Sequence, residues 1–171
     1  MVTGHAPAGP RERETGLYEV AGAVPDPELP VVSLAELGVL RALRVTGEGR
    51  VEVELTPTYT GCPAMEAMAA DIERALRAHG VAEVTVRTVL APPWTTDAIT
   101  AEGRRKLAAA GIAPPRPGTV CGPVAVDLAV RCPQCGSTDT VLLSRFSSTA
   151  CKALRRCAAC REPFDHFKEL T

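Results

Sequence analysis

The 171-residue sequence has few aromatic residues, no excess of charge of either sign and no long hydrophobic run. Aromatic residues make up 4% of the chain, and 19 basic residues face 20 acidic ones, for a net charge of −1. These figures argue against a nucleic-acid-binding protein, which usually has a strongly basic surface. No apolar run approaches the roughly 18 residues of a membrane helix. Because residues 1–16 also lack the apolar stretch of a secretory signal, we expect a cytoplasmic protein with no membrane partner.

The motifs of several common enzyme classes are also missing from the sequence. There is no Glu-x-x-His pair for a di-iron oxygenase and no Gly-x-Gly-x-x-Gly for a flavin or nicotinamide. A P-loop and the Gly-x-Ser-x-Gly turn of a hydrolase are absent as well. The sequence therefore favours a non-catalytic accessory protein over an enzyme.

Cysteine, by contrast, is abundant, and four of the seven residues form two Cys-x-x-Cys pairs with a 21-residue spacer: Cys132, Cys135, Cys157 and Cys160. Each pair turns two thiolates toward one point, so that two pairs complete a tetrahedron around a metal ion. We expect zinc there, in a structural role, because four protein thiolates leave no open position for a substrate. An iron site, an iron–sulfur cluster and disulfide bonds are the alternatives for the same four sulfurs.

Hydrophobic periodicity and proline content divide the chain into four parts. We expect a disordered tail at 1–16, an α+β domain at 17–111, a proline-rich linker at 112–128 and a four-cysteine ribbon at 129–171. The domain pattern predicts a short helix that ends before Pro25, strands at 39–45, 51–55 and 82–90, and helices at 63–80 and about 100–110. The fold class is a small mixed α/β domain followed by a zinc ribbon.

Cys62 is the candidate reactive thiol. It precedes Pro63, the predicted first residue of a helix, and the positive end of the helix dipole favours a thiolate over a thiol. Such a thiolate could act as a nucleophile, a redox thiol or a transient metal ligand. The alternative is a buried, unreactive cysteine at the start of a helix.

Other residues invite both a structural and a functional interpretation. Asp26 and Glu28 alternate with prolines, which predicts a rigid acidic loop that either serves a site or is simply solvated. Trp94 is expected to anchor a second proline-rich loop in the core. Cys151 lies between the two Cys-x-x-Cys pairs and is a candidate accessory thiol or redox partner, whereas Cys121 is expected to be an unpaired thiol in the linker.

Several segments resemble a known family. Residues 26–38 and 56–65, which contain the acidic loop and Cys62, resemble the iron–sulfur assembly domains that include SufT. When the ribbon motifs are considered as well, the resemblance becomes more specific. The combined set of motifs resembles the PaaD (PaaJ) family of phenylacetyl-CoA epoxidase accessory proteins. The segments that carry this second resemblance are Trp94-Thr95-Thr96-Asp97, both Cys-x-x-Cys pairs, residues 148–154 and residues 162–165.

The resemblance implies a maturation or accessory factor for the epoxidase system of aerobic phenylacetate catabolism. It implies that Cys62, Asp26 and Glu28 handle iron or an iron–sulfur cluster in transit, and that the four ribbon cysteines hold zinc. The implied partners are epoxidase components, above all the reductase that carries an iron–sulfur cluster and a flavin. A structural subunit without metal delivery and a thiol redox protein remain alternatives, and the oligomeric state is open, with a homodimer among the options.

Overall fold

The computed structural model describes residues 10–59, 61–116 and 129–169. These residues form four α-helices and seven strands in two sheets. In chain order the elements are α1 (Pro10–Gly22), α2 (Leu34–Leu37), β1 (Leu40–Val45), β2 (Val51–Leu55), α3 (Met65–Ala78), β3 (Val84–Thr88), α4 (Ala101–Ala109), β4 (Ile112–Ala113), β5 (Thr140–Ser144), β6 (Lys152–Cys157) and β7 (Pro163–Phe167). Among these residues, no helix has the length and apolar character to cross a membrane.

The first sheet confirms the predicted hairpin. Strands β1 and β2 pair antiparallel, and β3 lies parallel to β2 on its other side. The side chains of Val51, Val53 and Leu55 are fully buried, as their alternation with glutamates predicts. Helix α3 adds Met68 and Ile72 to the same core, because residues four positions apart lie on one helix face. The α+β class is therefore confirmed.

The elements differ from the predicted ones in several places, and helix α2 was not predicted. Helix α1 begins at Pro10, so residues 10–16 are helical rather than part of a disordered tail. Helix α3 begins at Met65, two residues after Pro63. Ile112 and Ala113 form β4, whereas a linker was expected to begin there. The remaining linker residues, 117–128 with Cys121, lie outside the described residues, as do 1–9 of the expected tail.

The second sheet is the ribbon, with the strand order β4-β7-β6-β5. Its strands β5, β6 and β7 form an antiparallel meander, and β4 adds a short parallel pairing to β7. Since β4 directly follows α4, the first part of the chain supplies an edge strand to the ribbon.

The ribbon packs against the first part of the chain. Phe167 is fully buried in the same hydrophobic cluster as Trp94, and their ring centroids lie 6.0 Å apart. Trp94 confirms its expected role as an anchor, since its indole N–H donates to the carbonyl of Leu37 at 3.0 Å. Cys151 belongs to this cluster too, so the packing carries a ribbon cysteine toward the loops of the first part.

Candidate functional site

The acidic loop is closed at its base and turned inward at Asp26. An isolated bridge between Pro25 and Ser33 joins the two ends of the loop. Asp26 is 4% exposed, and its carboxylate accepts hydrogen bonds from the backbone N–H groups of Glu28 and Leu29, both at 2.8 Å. Burial nevertheless raises the pKa of Asp26, against the lowering effect of these two N–H groups. The loop therefore holds a buried carboxyl group in a fixed position.

The cysteine loop follows strand β2 and leads into α3. Gly61 adopts a left-handed conformation with a φ of 83°, which a glycine tolerates without strain. The backbone N–H of Cys62 donates to the carbonyl of Tyr59 at 3.3 Å, so the loop forms a tight turn. Cys62 is half-buried at this turn, which leaves part of its surface accessible.

The environment of Cys62 disfavours the thiolate, contrary to the sequence-based expectation. Burial raises the pKa of its thiol, and the charges of Glu28 and Asp26 raise it further. The backbone N–H of Ala64 and the hydroxyl of Tyr59 hydrogen-bond to the sulfur and lower the pKa, but they do not outweigh burial and charge. The hydrogen bond from the Ala64 N–H thus lowers the pKa of Cys62 as expected for the start of a helix, but burial raises it more.

Cys151 faces the same group of side chains as Cys62. Burial raises the pKa of its thiol, and the charges of Glu28 and Asp26 add to the effect. Tyr59 interacts electrostatically with both thiols. Burial is the largest of the causes that raise the pKa of its phenol to about 12, and the charges of Cys62, Glu28 and Cys151 contribute to the same shift. Asp26, Glu28, Tyr59, Cys62 and Cys151 therefore influence one another electrostatically, and we call these five residues the thiol–carboxylate cluster.

A buried ion pair joins strands β6 and β7 of the ribbon next to Cys151. The Lys152 ammonium group lies 3.0 Å from the Asp165 carboxylate, and the lysine side chain is only 6% exposed. Ser147 donates a further hydrogen bond to Asp165 from its hydroxyl group. Thr149 shares a hydrogen bond of 3.1 Å with the Cys151 sulfur. These contacts keep Cys151 in place beside the acidic loop.

The thiol–carboxylate cluster has the chemistry of a cation site. The two carboxylates and two thiols influence one another electrostatically, and the negative charges that oppose thiolate formation attract a metal cation. Among the described residues, only the ribbon cysteines already have their ligand atoms gathered into a metal-binding group. A bound cation would reverse the pKa effect, because coordination deprotonates a thiol and releases its proton to solvent. Without a metal ion the thiols stay protonated near neutral pH, so binding of a divalent metal would have to displace their protons.

Four other sulfurs form a separate group in the ribbon: Cys132, Cys135, Cys157 and Cys160. All four lie within 4.8 Å of one another, and the closest pairs are 3.6 and 3.7 Å apart. A tetrahedron with zinc–sulfur bonds of about 2.3 Å has sulfur–sulfur edges of about 3.8 Å. The donor set and its spacing therefore fit a tetrahedral metal ion.

The two Cys-x-x-Cys turns have matching backbones. Gly136 and Arg161, each four residues after the first cysteine of its pair, adopt φ angles of 74° and 67°. In the second turn the backbone N–H of Cys160 donates to the Cys157 sulfur and is the largest of the contributions that lower the pKa of that thiol. Cys157 is fully buried, so its thiolate needs the metal ion as its counter-charge.

The raised pKa of Cys62 leads to a testable pH dependence. We expect alkylation of Cys62 by iodoacetamide to increase through a midpoint above pH 9, the ordinary value of the thiol. Tyr59→Phe should move this midpoint to still higher pH, because it removes a hydrogen bond that stabilises the thiolate. Mass spectrometry of the Cys62 peptide after timed labelling measures both rates.

A thiolate activated by the helix dipole would behave differently in that experiment. Its labelling midpoint would lie below pH 9, and Tyr59→Phe would leave the midpoint unchanged. Thr58→Ala, a substitution of a neighbouring loop hydroxyl, serves as the control for general changes in the loop.

The structure places Asp26 and Glu28 within electrostatic reach of Cys62 and Cys151, whereas a role of these residues in iron handling stays a prediction. Tyr59 and Lys152 were not identified as site residues, although each lies within three positions of a cysteine of the cluster. That proximity in sequence was the available signal. The four ribbon cysteines lie in a separate group within the ribbon.

Comparisons with known proteins agree with this division. Residues 18–89 match the family described as iron–sulfur cluster assembly protein, and residues 117–168 match the PaaD zinc beta ribbon domain. A domain of unknown function, DUF59, from Bacillus anthracis has a similar structure with a TM-score of 0.52 and 28% identity. The matched region covers 55% of this chain and 90% of the Bacillus anthracis chain. Fold and site therefore define an iron–sulfur assembly domain joined to a metal-binding zinc ribbon.

Relatives over a longer stretch narrow the assignment. A protein of Escherichia coli (strain K12) that is named as a subunit of 1,2-phenylacetyl-CoA epoxidase is 45% identical over 152 residues, 89% of this chain and 90% of its own length. An Fe-S protein maturation auxiliary factor of Porphyromonas gingivalis (strain ATCC BAA-308 / W83) is 28% identical over 56% of this chain and 91% of its own. The chain belongs to the PaaD family of phenylacetyl-CoA epoxidase subunits.

Proposed function

We propose that this protein is a cytoplasmic accessory factor of the phenylacetyl-CoA epoxidase system that assists insertion of iron or an iron–sulfur cluster into the reductase component. The family supports the accessory role, since one relative is named as an epoxidase subunit and another as a maturation factor. The observation that carries the finer proposal is the thiol–carboxylate cluster, which joins Cys62 and Cys151 beside Asp26 and Glu28.

The proposed division of labour follows from the two kinds of sulfur site. The ribbon site has four thiolate donors and no open position, so its metal, which we propose to be zinc, holds the ribbon together. The thiol–carboxylate cluster is half-open at Cys62 and lacks a full thiolate set, so it would bind its cargo weakly enough to release it. Retention and transfer are therefore assigned to different sites, and the protein itself performs no catalytic step.

The proposal is tested on the client protein. In cells that lack the native gene, we expect wild-type protein to restore the cluster of the epoxidase reductase, whereas Cys62→Ser leaves it at the level of the deletion strain. Glu28→Gln should restore it partially, because it removes one of two carboxylates. Iron, acid-labile sulfide and absorbance of the anaerobically purified reductase measure the occupancy.

A matched acidic control is available at the far end of the sheet. Glu83 pairs with Arg50 beside the start of β2, whereas the cysteine loop follows the end of that strand. Glu83→Gln should therefore restore the reductase as wild type does. Equal occupancy with Cys62→Ser and with wild type would contradict metal delivery and would favour a structural role in the epoxidase complex.

A further inference from the structure

A cavity of about 830 Å³ opens on the ribbon face that is turned away from the thiol–carboxylate cluster. Successive residues of a strand point to opposite faces of a sheet. Lys152 and Phe167 pair across β6 and β7 and face the first part of the chain, while Ala153 and His166 pair on the other face and line the cavity. The cavity is therefore separate from the site proposed for iron.

The cavity wall is strongly cationic. One carboxylate, that of Glu169, is outnumbered there by six cationic side chains: Arg104, Arg116, Arg131, Arg145, Arg155 and Lys168. Among the described residues, Arg145, Arg155 and Lys168 form no salt bridge. Such an excess of positive charge around one concave space attracts an anion with more than one negative charge.

Arg155 contributes to the wall a guanidinium group that is weakly hydrogen-bonded within the protein. Its Nε atom is buried and has no hydrogen-bond partner among the described residues. Its Nη2 atom reaches only the carbonyl of Thr140, at 3.5 Å. With this single long hydrogen bond, the Nη groups of Arg155 can donate to an anion in the cavity.

Part of the wall is apolar and exposed. Leu142 and Phe146 are 48% and 63% exposed, although both line the cavity. Pro114 and Pro115 contribute further apolar surface from the segment after β4. The Lys168 ammonium group lies 4.7 Å from the centre of the Phe146 ring, which places a positive charge at the aromatic surface. A ligand of this cavity would therefore combine anionic groups with an apolar or aromatic part.

We propose that this cavity binds an organic phosphate, a small molecule that carries two or more phosphate groups on an aromatic or apolar framework. The volume lies within the range of roughly 300–1,000 Å³ that is usual for ligand and cofactor pockets. Arginine guanidinium groups bind phosphate oxygens in pairs, which explains why five of the six cations are arginines. The concave shape favours a small molecule over an extended acidic peptide.

Calorimetric titration of the full-length protein tests the proposal with three probes. Coenzyme A and ADP each combine phosphates with an adenine ring, and inorganic pyrophosphate supplies charge alone. We expect both adenine-containing probes to bind and to bind at least about tenfold more tightly than pyrophosphate, because only they contact the apolar wall. Tighter binding of coenzyme A than of ADP would indicate a thioester-type ligand, and the reverse order a nucleotide. Binding should weaken at high salt.

Variants locate the binding in the cavity. We expect the double variant Arg145→Gln, Lys168→Gln to weaken binding of the better probe at least about tenfold, since it removes two charge-assisted contacts. Arg156→Gln is the matched control, because Arg156 is exposed and lies next to Arg155 on the opposite face of β6. It should change the affinity less than about twofold. Unchanged metal content in each variant shows that the ribbon is folded.

Three results would overturn the proposal. The first is the absence of binding by all three probes at millimolar concentration. The second is an equal loss of affinity in the double variant and in Arg156→Gln. The third is tighter binding of a glutamate-rich peptide than of either adenine-containing probe, which would assign the cavity to an acidic partner protein instead.

Discussion

Replacing Cys157 with serine is expected to release the ribbon metal and to detach the ribbon from the rest of the protein. Cys157 is fully buried and lies 3.6 Å from Cys135 in the four-cysteine group. Serine offers a neutral hydroxyl group where the metal requires a thiolate. We expect the metal content to fall from one ion per chain to less than about a tenth of that.

The loss should unfold the ribbon because little else holds it together. Among the described residues, its own buried cluster consists of Ala113, Cys132, Cys157 and Phe164, and two of these belong to the four-cysteine group. Structural zinc contributes roughly 10–16 kcal/mol in zinc-finger peptides, which is as large as the whole stability of a typical domain. The α1–α4 part has a separate core around Val53, Met68 and Ile72 and should stay folded.

The tryptophan reports detachment directly, because the chain has a single one. Trp94 is 5% exposed and lies against Phe167 of the ribbon. Loss of the ribbon removes Phe167 and admits water to the indole ring, so the fluorescence emission should shift to longer wavelength. Chelation of wild-type protein should produce the same shift, reversible on return of the metal.

Cys62→Ser is the control for this experiment, since Cys62 is not a ribbon ligand. It should retain a full metal complement and the wild-type emission. A metal-loaded Cys157→Ser protein, or a metal-free protein with unchanged emission, would show that the ribbon does not depend on the metal.

Features set by neighbouring residues could be predicted from the sequence, whereas features set by contacts between distant segments could not. The β1–β2 hairpin and the buried face of α3 were predicted because their periodicity is a local property of the sequence. The four ribbon ligands were predicted for the same reason, since the Cys-x-x-Cys spacing by itself sets the turn. Strand β4 was missed because only two residues, Ile112 and Ala113, pair with a strand more than fifty positions away.

The pKa of Cys62 illustrates the same limit in the site. The helix-end argument used only the residues that follow Cys62, and the Ala64 N–H does lower the pKa as expected. The opposing contributions come from burial and from the carboxylates of Asp26 and Glu28, which are more than thirty positions away in sequence. Their effect on the thiol depends on how the two loops meet, which no local pattern encodes.

The position of Cys151 depends on tertiary packing in the same way. Because Cys151 lies between the two Cys-x-x-Cys pairs in sequence, it could have been either a thiol near the ribbon metal or a thiol with a separate role. The burial of Phe167 against Trp94 determines the position of Cys151, since this contact holds one ribbon face against the first part of the chain. The second thiol of the cluster thus comes from a different part of the chain than the first.

Cys62→Ser is expected to abolish iron binding at the thiol–carboxylate cluster while it leaves the ribbon metal in place. Under the proposed function, the cluster offers two thiols and two carboxylates, and the negative charges of Asp26 and Glu28 would attract Fe²⁺ before the thiols ionise. Serine at position 62 removes the accessible one of the two sulfurs. The remaining thiol, Cys151, is 4% exposed and cannot complete the site alone.

Anaerobic titration of the purified protein with Fe²⁺ tests iron binding by Cys62 most directly. Elemental analysis should find one iron per chain in wild-type protein in addition to the ribbon metal, with proton release as the thiol is deprotonated. Cys62→Ser should bind less than about a tenth of that iron and retain its full ribbon metal. Equal iron binding by wild type and Cys62→Ser, or no binding by either, would contradict a role for Cys62 in iron handling.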